Sequence, residues 1–132
     1  MLTTEALEQL EELLAELKEQ AREGVPIIVE GANDVGALRK LGIERGVHKV
    51  SNGSSLLDFI ESFSGNKQVI ILTDFDRAGE KLAKFFTRHA SQVGVKPITE
   101  FRDKLKLLVH KNVKDIEGLA KFVERQLFEA TD

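Results

Sequence analysis

The chain has no cysteine, tryptophan or tyrosine, and only two prolines and one methionine among its 132 residues. Without cysteine there is no disulfide framework and no thiolate ligand or nucleophile, so any metal chemistry must rest on oxygen or imidazole donors. Long apolar runs are also missing. Val25 to Val29 and Val69 to Leu72 fall far short of the roughly 20 residues that span a bilayer, and the N-terminus is acidic and helical rather than basic and apolar. These features point away from the membrane and predict a cytoplasmic protein. Phenylalanine is the sole aromatic, and several of the eight are needed for a core, so base stacking offers little for reading a single strand.

What is present describes one ordinary globular domain, with 42% hydrophobic residues and a formal charge of −3. A chain of this size buries roughly two-thirds of its unfolded surface, enough for a core without staples. The charge is unevenly spread. Residues 1–23 hold seven acids and two bases, whereas residues 77–114 hold ten bases (Arg77, Lys81, Lys84, Arg88, Lys96, Arg102, Lys104, Lys106, Lys111 and Lys114) against Glu80, Glu100 and Asp103. The basic stretch suits a polyanionic partner, although a solvated helix face has the same composition.

Leu7, Leu10, Leu14, Leu17 and Ala21 recur at three- and four-residue spacings and predict an amphipathic helix over 3–22, ended by Gly24 and Pro26. Ile27 to Val29 then reads as a short buried strand. A helix from Asp34 to Gly42, a strand from Val47 to Val50 with a turn at 51–53, and a helix opened by Ser55 and Asp58 follow. Val69 to Leu72 is apolar on both faces, as in a central parallel strand, and a helix with Leu82, Phe85, Phe86 and Ala90 inward comes next. Val95 to Phe101 is predicted as an edge strand because it contains Pro97, and 103–109 and 115–130 as helices. Alternating strands and helices imply an α/β fold, a roughly four-stranded, mostly parallel sheet with helices on both faces. The expected division is an acidic helix at 1–23 and the α/β domain at 24–132.

In such sheets the chemistry gathers beyond the carboxyl ends of the strands, and three acids fall there. Glu30 closes the first strand; Asp74 and Asp76 close the most buried one. Converging carboxylates repel one another unless a cation lies among them, and hard oxygen donors select Mg²⁺ or Mn²⁺ over zinc. Helix capping is the competing explanation for Asp76, but it accounts for neither Glu30 nor Asp74. His48, His89 and His110 lie on separate elements without ligand spacing. A phosphate-binding P-loop is set aside, because Ala37-Leu38 stands where its Lys-Ser/Thr would be.

Val29-Glu30-Gly31-Ala32-Asn33-Asp34-Val35-Gly36-Ala37-Leu38 resembles the glutamate motif of Toprim domains, and Thr73-Asp74-Phe75-Asp76-Arg77-Ala78-Gly79-Glu80 resembles their Asp-x-Asp motif with its trailing glycine. Both follow apolar strands in the family's order, and the likeness spans roughly 25–125. The stretch from Val113 to Leu119 is similar to the closing segment of the ribonuclease M5 and small stand-alone branch. The resemblance implies a Rossmann-like Toprim fold in which Asp74 and Asp76 bind Mg²⁺, with Mn²⁺ as the alternative. Glu30 would be a general acid/base and a further ligand, and Gly31 would let backbone approach a phosphate. Asp34 matches an acid beside the site but also suits a helix cap. Glu80 matches the third acid of the topoisomerase pattern but also suits a helix first turn. Arg77 and Lys81 would hold phosphate oxygens.

Toprim domains serve topoisomerases, primases, nucleases and recombination proteins, so the fold alone does not choose an activity. Lacking tyrosine, this chain cannot form a phosphotyrosine alone; lacking cysteine, it has no primase zinc module; nor does it have room for the C-terminal extension of ribonuclease M5. The expectation is a metal-dependent nuclease or related phosphodiester-processing protein, with RNA preferred over DNA by similarity to the ribonuclease M5 branch. The first rival is a non-catalytic adaptor binding metal and nucleic acid. The second is a phosphohydrolase with an aspartyl nucleophile, which would leave Glu30 idle and usually needs a hydroxyl where Ala78 stands. The acidic first helix could pack on the sheet, meet a protein partner or self-associate.

Overall fold

A computed structural model describes residues 2–50 and 55–130, without the side chains of 129 and 130. The turn expected at 51–53 lies outside the described residues. The elements run α1 (Thr4–Arg22), β1 (Ile27–Val29), α2 (Ala32–Lys40), β2 (Val47–Lys49), α3 (Leu56–Glu61), β3 (Gln68–Ile71), α4 (Arg77–Gln92), β4 (Lys96–Ile98), α5 (Glu100–Val109) and α6 (Ile116–Ala130). Among them no helix is long and apolar enough to cross a membrane.

All four strands are parallel, in the order β2-β1-β3-β4. The chain leaves β1 toward β2 on one side and returns to β3 on the other, so the order reverses between β1 and β3. At such a reversal the outgoing loops diverge and open a crevice beyond the carboxyl ends of both strands. The residues that follow β1 and β3 are the two acidic motifs.

Strand alternation divides the core in two. Ile27, Val29, Ile70 and Leu72 face the layer built by α1, α2, α5 and α6, where Leu10, Leu17, Leu38, Leu105, Ile116 and Leu119 are wholly buried. Ile28, Val69 and Ile71 face α3 and α4, against Ile60, Phe63, Ala83 and Phe86. The apolar stripe of α1 is therefore spent inside the molecule, where the helix lies along α5.

Two boundaries differ from the sequence expectation. The last strand ends at Ile98 and α5 starts at Glu100 rather than 103. Thr99 has already left the extended region (φ −111°, ψ −4°), and Arg102, Leu105 and Val109 then recur with helical period and are all buried, so helical packing overrides the β-like composition of 99–101. Helix α2 begins at Ala32, two residues before Asp34, because the Asp34 side chain reaches back to the Gly31 N–H and closes the first turn.

Candidate functional site

Glu30 leaves β1 half-buried, and Asp74 leaves β3 half-buried beside it, with the two carboxyl groups near enough to hydrogen-bond. Burial first, then the hydrogen bond and charge of Glu30, then the charges of Asp115 and Asp76, push the Asp74 carboxyl up from 3.8 to about 8. The folded chain thus favours a proton shared by the Glu30–Asp74 pair. Asp74 Oδ1 is buried and accepts no hydrogen bond from the described residues. A buried carboxyl oxygen without a partner, set among other acids, is a place that a cation can fill.

Asp76 is exposed and caps α4, its Oδ1 accepting the Gly79 N–H at 2.7 Å. Capping occupies one oxygen and leaves the other available. The expected alternatives for this residue are thus compatible, since the hydrogen bond that caps the helix also fixes the side chain at the mouth of the crevice.

Gly79 is what allows α4 to start so close to β3. A side-chain carbon built on it would overlap the backbone of Asp74, the carbonyl oxygen above all. The Thr73 hydroxyl, wholly buried, donates to the Gly79 carbonyl at 2.7 Å and stitches the same two segments together.

Asp34 is buried, and both of its oxygens are used: Oδ2 accepts the Gly31 N–H and Oδ1 accepts the Glu117 N–H, each at 3.1 Å. Burial, opposed by these two bonds and reinforced by the charges of Asp74 and Asp115, raises its pKa. Gly31 is extended (φ −139°, ψ 171°), and its amide is already given to Asp34. Glu80 points away from the crevice, donated to by Arg102 at 2.6 Å with Lys106 at 3.8 Å, and the Arg102 hydrogen bond holds its carboxyl below the usual range.

Arg77 and Lys81 are exposed at the start of α4 and form no ion pair among the described residues. With Lys84 and Arg88, also exposed, they make a ridge at helical spacing that leads away from Asp76. The three histidines stay apart: His48 meets Phe63 edge-on, His89 lies tilted against Phe85, and His110 Nδ1 lies 2.9 Å from the Lys106 carbonyl.

Two participants escaped the sequence reading. Asp115, half-buried ahead of α6, accepts the Gly118 N–H at 2.7 Å and adds its charge to both Asp34 and Asp74. Its place is fixed by a backbone bond from Phe75 N–H to the Lys114 carbonyl, 2.7 Å, which brings the segment before α6 against the Asp-x-Asp loop. The other is Arg102, counted above among the surface bases; it is only 1% exposed and is spent inside the protein. Its phase with Leu105 and Val109 on the buried stripe of α5 was the available signal.

The donors gathered here are all carboxylate oxygens, and the orphaned Asp74 oxygen fits a hard divalent cation such as Mg²⁺ or Mn²⁺. Among the described residues no three acidic or histidine groups already stand at coordination distance. A cation bound between Glu30 and Asp74 would take the place of the proton that their closeness favours.

A parallel sheet with an acidic crevice at its switch point, one acid after β1 and an Asp-x-Asp pair after β3, defines a Toprim domain, and the Toprim domain family matches residues 25–108. A UPF0292 protein of Methanosarcina barkeri is 44% identical over 121 residues, covering 90% of this chain and 83% of the relative. One from Methanocaldococcus jannaschii is 38% identical over 125 residues, covering 94% and 97%. A solved structure of a protein from Aquifex aeolicus superposes with a TM-score of 0.69 at 34% identity, covering 82% of this chain and 95% of that one. The chain belongs to the Toprim family, among its UPF0292 members. Membership carries a metal-binding role connected with nucleic acid.

Proposed function

We propose that the protein is a Mg²⁺-dependent phosphodiester-processing enzyme of the cytoplasm, a nuclease acting on RNA in preference to DNA. The observation that carries this reading is the Glu30–Asp74 pair, a carboxyl held protonated to about pH 8 beside a second acid, with one oxygen left unpartnered. Asp74 and the free oxygen of Asp76 would hold the ion, with Glu30 within reach as a further ligand. When bound, the ion supplies charge neutralisation at the phosphorus and an activated water. Mn²⁺ would substitute.

Glu30 takes a proton from the attacking water and returns one to the leaving oxygen. Arg77 and Lys81 hold phosphate oxygens, and the ridge continuing to Lys84 and Arg88 guides the strand toward the acids. Gly31, whose amide is occupied, contributes room beside Glu30 rather than a hydrogen bond. Asp34 serves catalysis by fixing Gly31 and the start of α6 around the acids. The preference for RNA rests on the similarity of residues 113–119 to the ribonuclease M5 branch. A protein partner or second copy meeting α1 would find its glutamate face, since the leucine face is buried.

The deciding experiment offers structured RNA, single-stranded RNA and DNA to the wild type, Glu30→Gln and Asp74→Asn, with Mg²⁺, Mn²⁺ or chelator. Metal-dependent products from the wild type that vanish in both variants support the nuclease. Intact substrates with metal-dependent binding would replace it with an adaptor.

A further inference from the structure

Arg102 makes more hydrogen bonds than any other side chain described, and all three end at or beside the Asp-x-Asp loop. Nε donates to the Thr73 carbonyl at 3.2 Å, Nη2 to the Asp74 carbonyl at 2.6 Å and Nη1 to Glu80 Oε2 at 2.6 Å. The need for these donors follows from the sheet. Strand β4 stops at Ile98, opposite Ile70, so no strand residue is left to satisfy the carbonyls of residues 73 and 74. One guanidinium replaces the missing strand.

From this geometry we infer that Arg102 is a positioning residue for the acid site and that Glu80 is its counter-ion rather than a third acid of the site. The inference rests on the reading of Asp74 and Asp76 as metal ligands. The peptide joining Asp74 to Phe75 is gripped at both ends, its carbonyl by Arg102 and its N–H by the Lys114 carbonyl at 2.7 Å. A peptide plane fixed at both ends fixes the Cα on either side of it, and with the Asp74 Cα the direction of its side chain. Glu80 aims the guanidinium by holding its third edge. A lysine has one ammonium where the arginine has a rigid fork, so it cannot span three separated acceptors.

A purely structural arginine would lower stability and leave the site of the remaining folded molecules unchanged. A positioning arginine alters the site in folded molecules too. Binding of Mn²⁺ alone, followed by loss of the free-ion electron paramagnetic resonance signal, is compared at low temperature for wild type, Arg102→Lys, Glu80→Gln, Asp74→Asn and Val109→Ala. Val109 is buried on the same helix and its side chain has no donor for either carbonyl, so it controls for destabilisation. Exchange of the Phe75 amide proton is read on the same samples without metal.

The expected result is a Mn²⁺ affinity about 10-fold or more lower in Arg102→Lys and lower by a few-fold in Glu80→Gln, as for other groups that orient metal ligands. Val109→Ala keeps the wild-type value. Phe75 amide exchange quickens in the first two variants beyond what Val109→Ala shows. Should Arg102→Lys fail to fold, Glu80→Gln carries the test, because its half-exposed side chain keeps its shape and loses only its charge. Wild-type affinity and Phe75 exchange in the Arg102 and Glu80 variants would overturn the inference. Wild-type Mn²⁺ binding in Asp74→Asn would instead overturn the metal reading, and the exchange result would then decide whether Arg102 still sets the loop.

Discussion

The Asp34 carboxylate reaches a residue 83 positions along the chain, taking the backbone N–H of Glu117 on one oxygen while its other oxygen holds that of Gly31. One side chain thereby closes the first turn of α2 and tethers the first turn of α6. Replacing it by alanine leaves two amides unsatisfied, at about 1–3 kcal/mol each, offset in part by relief from the charges of Asp74 and Asp115. Asp34→Ala is expected to lose about 1–3 kcal/mol in urea unfolding at pH 7, through a lower midpoint with an unchanged slope.

The raised carboxyl of Asp74 predicts how stability varies with pH. Between the ordinary value of 3.8 and about 8, the folded protein keeps a proton that the unfolded chain has released. Protonation therefore favours the fold at the acid end of that window, and the contribution disappears as pH rises through about 8. In chelator the thermal midpoint should fall from pH 5 to pH 9. Added Mg²⁺ should restore it mainly at the alkaline end, where the ion no longer competes with the proton. Asp74→Asn should flatten both responses. Glu30, Asp76, Asp115 and Asp34 surround this group, so scanning calorimetry reads the pair with its neighbours rather than one isolated acid.

Two glycines in helices should respond with opposite signs. Gly79→Ala forces a methyl group into the Asp74 backbone and should cost at least about 2 kcal/mol together with metal affinity. Gly36 has open space where its side chain would be, inside α2, so Gly36→Ala should add about 0.5–1 kcal/mol. Denaturant melts of the two variants check both.

Nucleic-acid binding by the α4 ridge would be driven by counterion release. Arg77→Ala combined with Lys81→Ala should weaken binding of every sequence alike and reduce the log–log salt slope by about 1.5–2. Fluorescence anisotropy from 50 to 300 mM salt, or on the order of that range, measures it. An unchanged slope would remove the ridge from the interface.

Much of the architecture could be read from the sequence because the decisive signals were local. The all-apolar Val69 to Leu72 run, the leucine spacing of α1 and the Ser55 cap each act within a few residues, and each element formed where that signal lay. Residues 99–101 were misread because their β-like composition competed with a helical phase visible only once Arg102 counts as an inward position. The position of Glu30, Asp74 and Asp76 beyond the ends of β1 and β3 was legible through a rule about strand ends. Asp115 was not, because what brings it to Asp74 is a backbone bond between Phe75 and Lys114 that involves no side chain. The occupied amide of Gly31 was equally hidden, since glycine advertises freedom but not which partner uses it.

The bond from Phe75 to Lys114 also bears on when the protein becomes competent during its synthesis. Glu30, Asp74 and Asp76 have all been joined to the growing chain before residue 80 is added. The carbonyls of residues 73 and 74 still wait for Arg102, and the Phe75 amide for residue 114. Translation adds about 5–20 residues per second, so the acids precede the groups that fix them by seconds. A ribosome-bound fragment ending near residue 100 should therefore carry the acidic motifs without the groups that fix them, so that the crevice takes its final form only after residue 114 has docked.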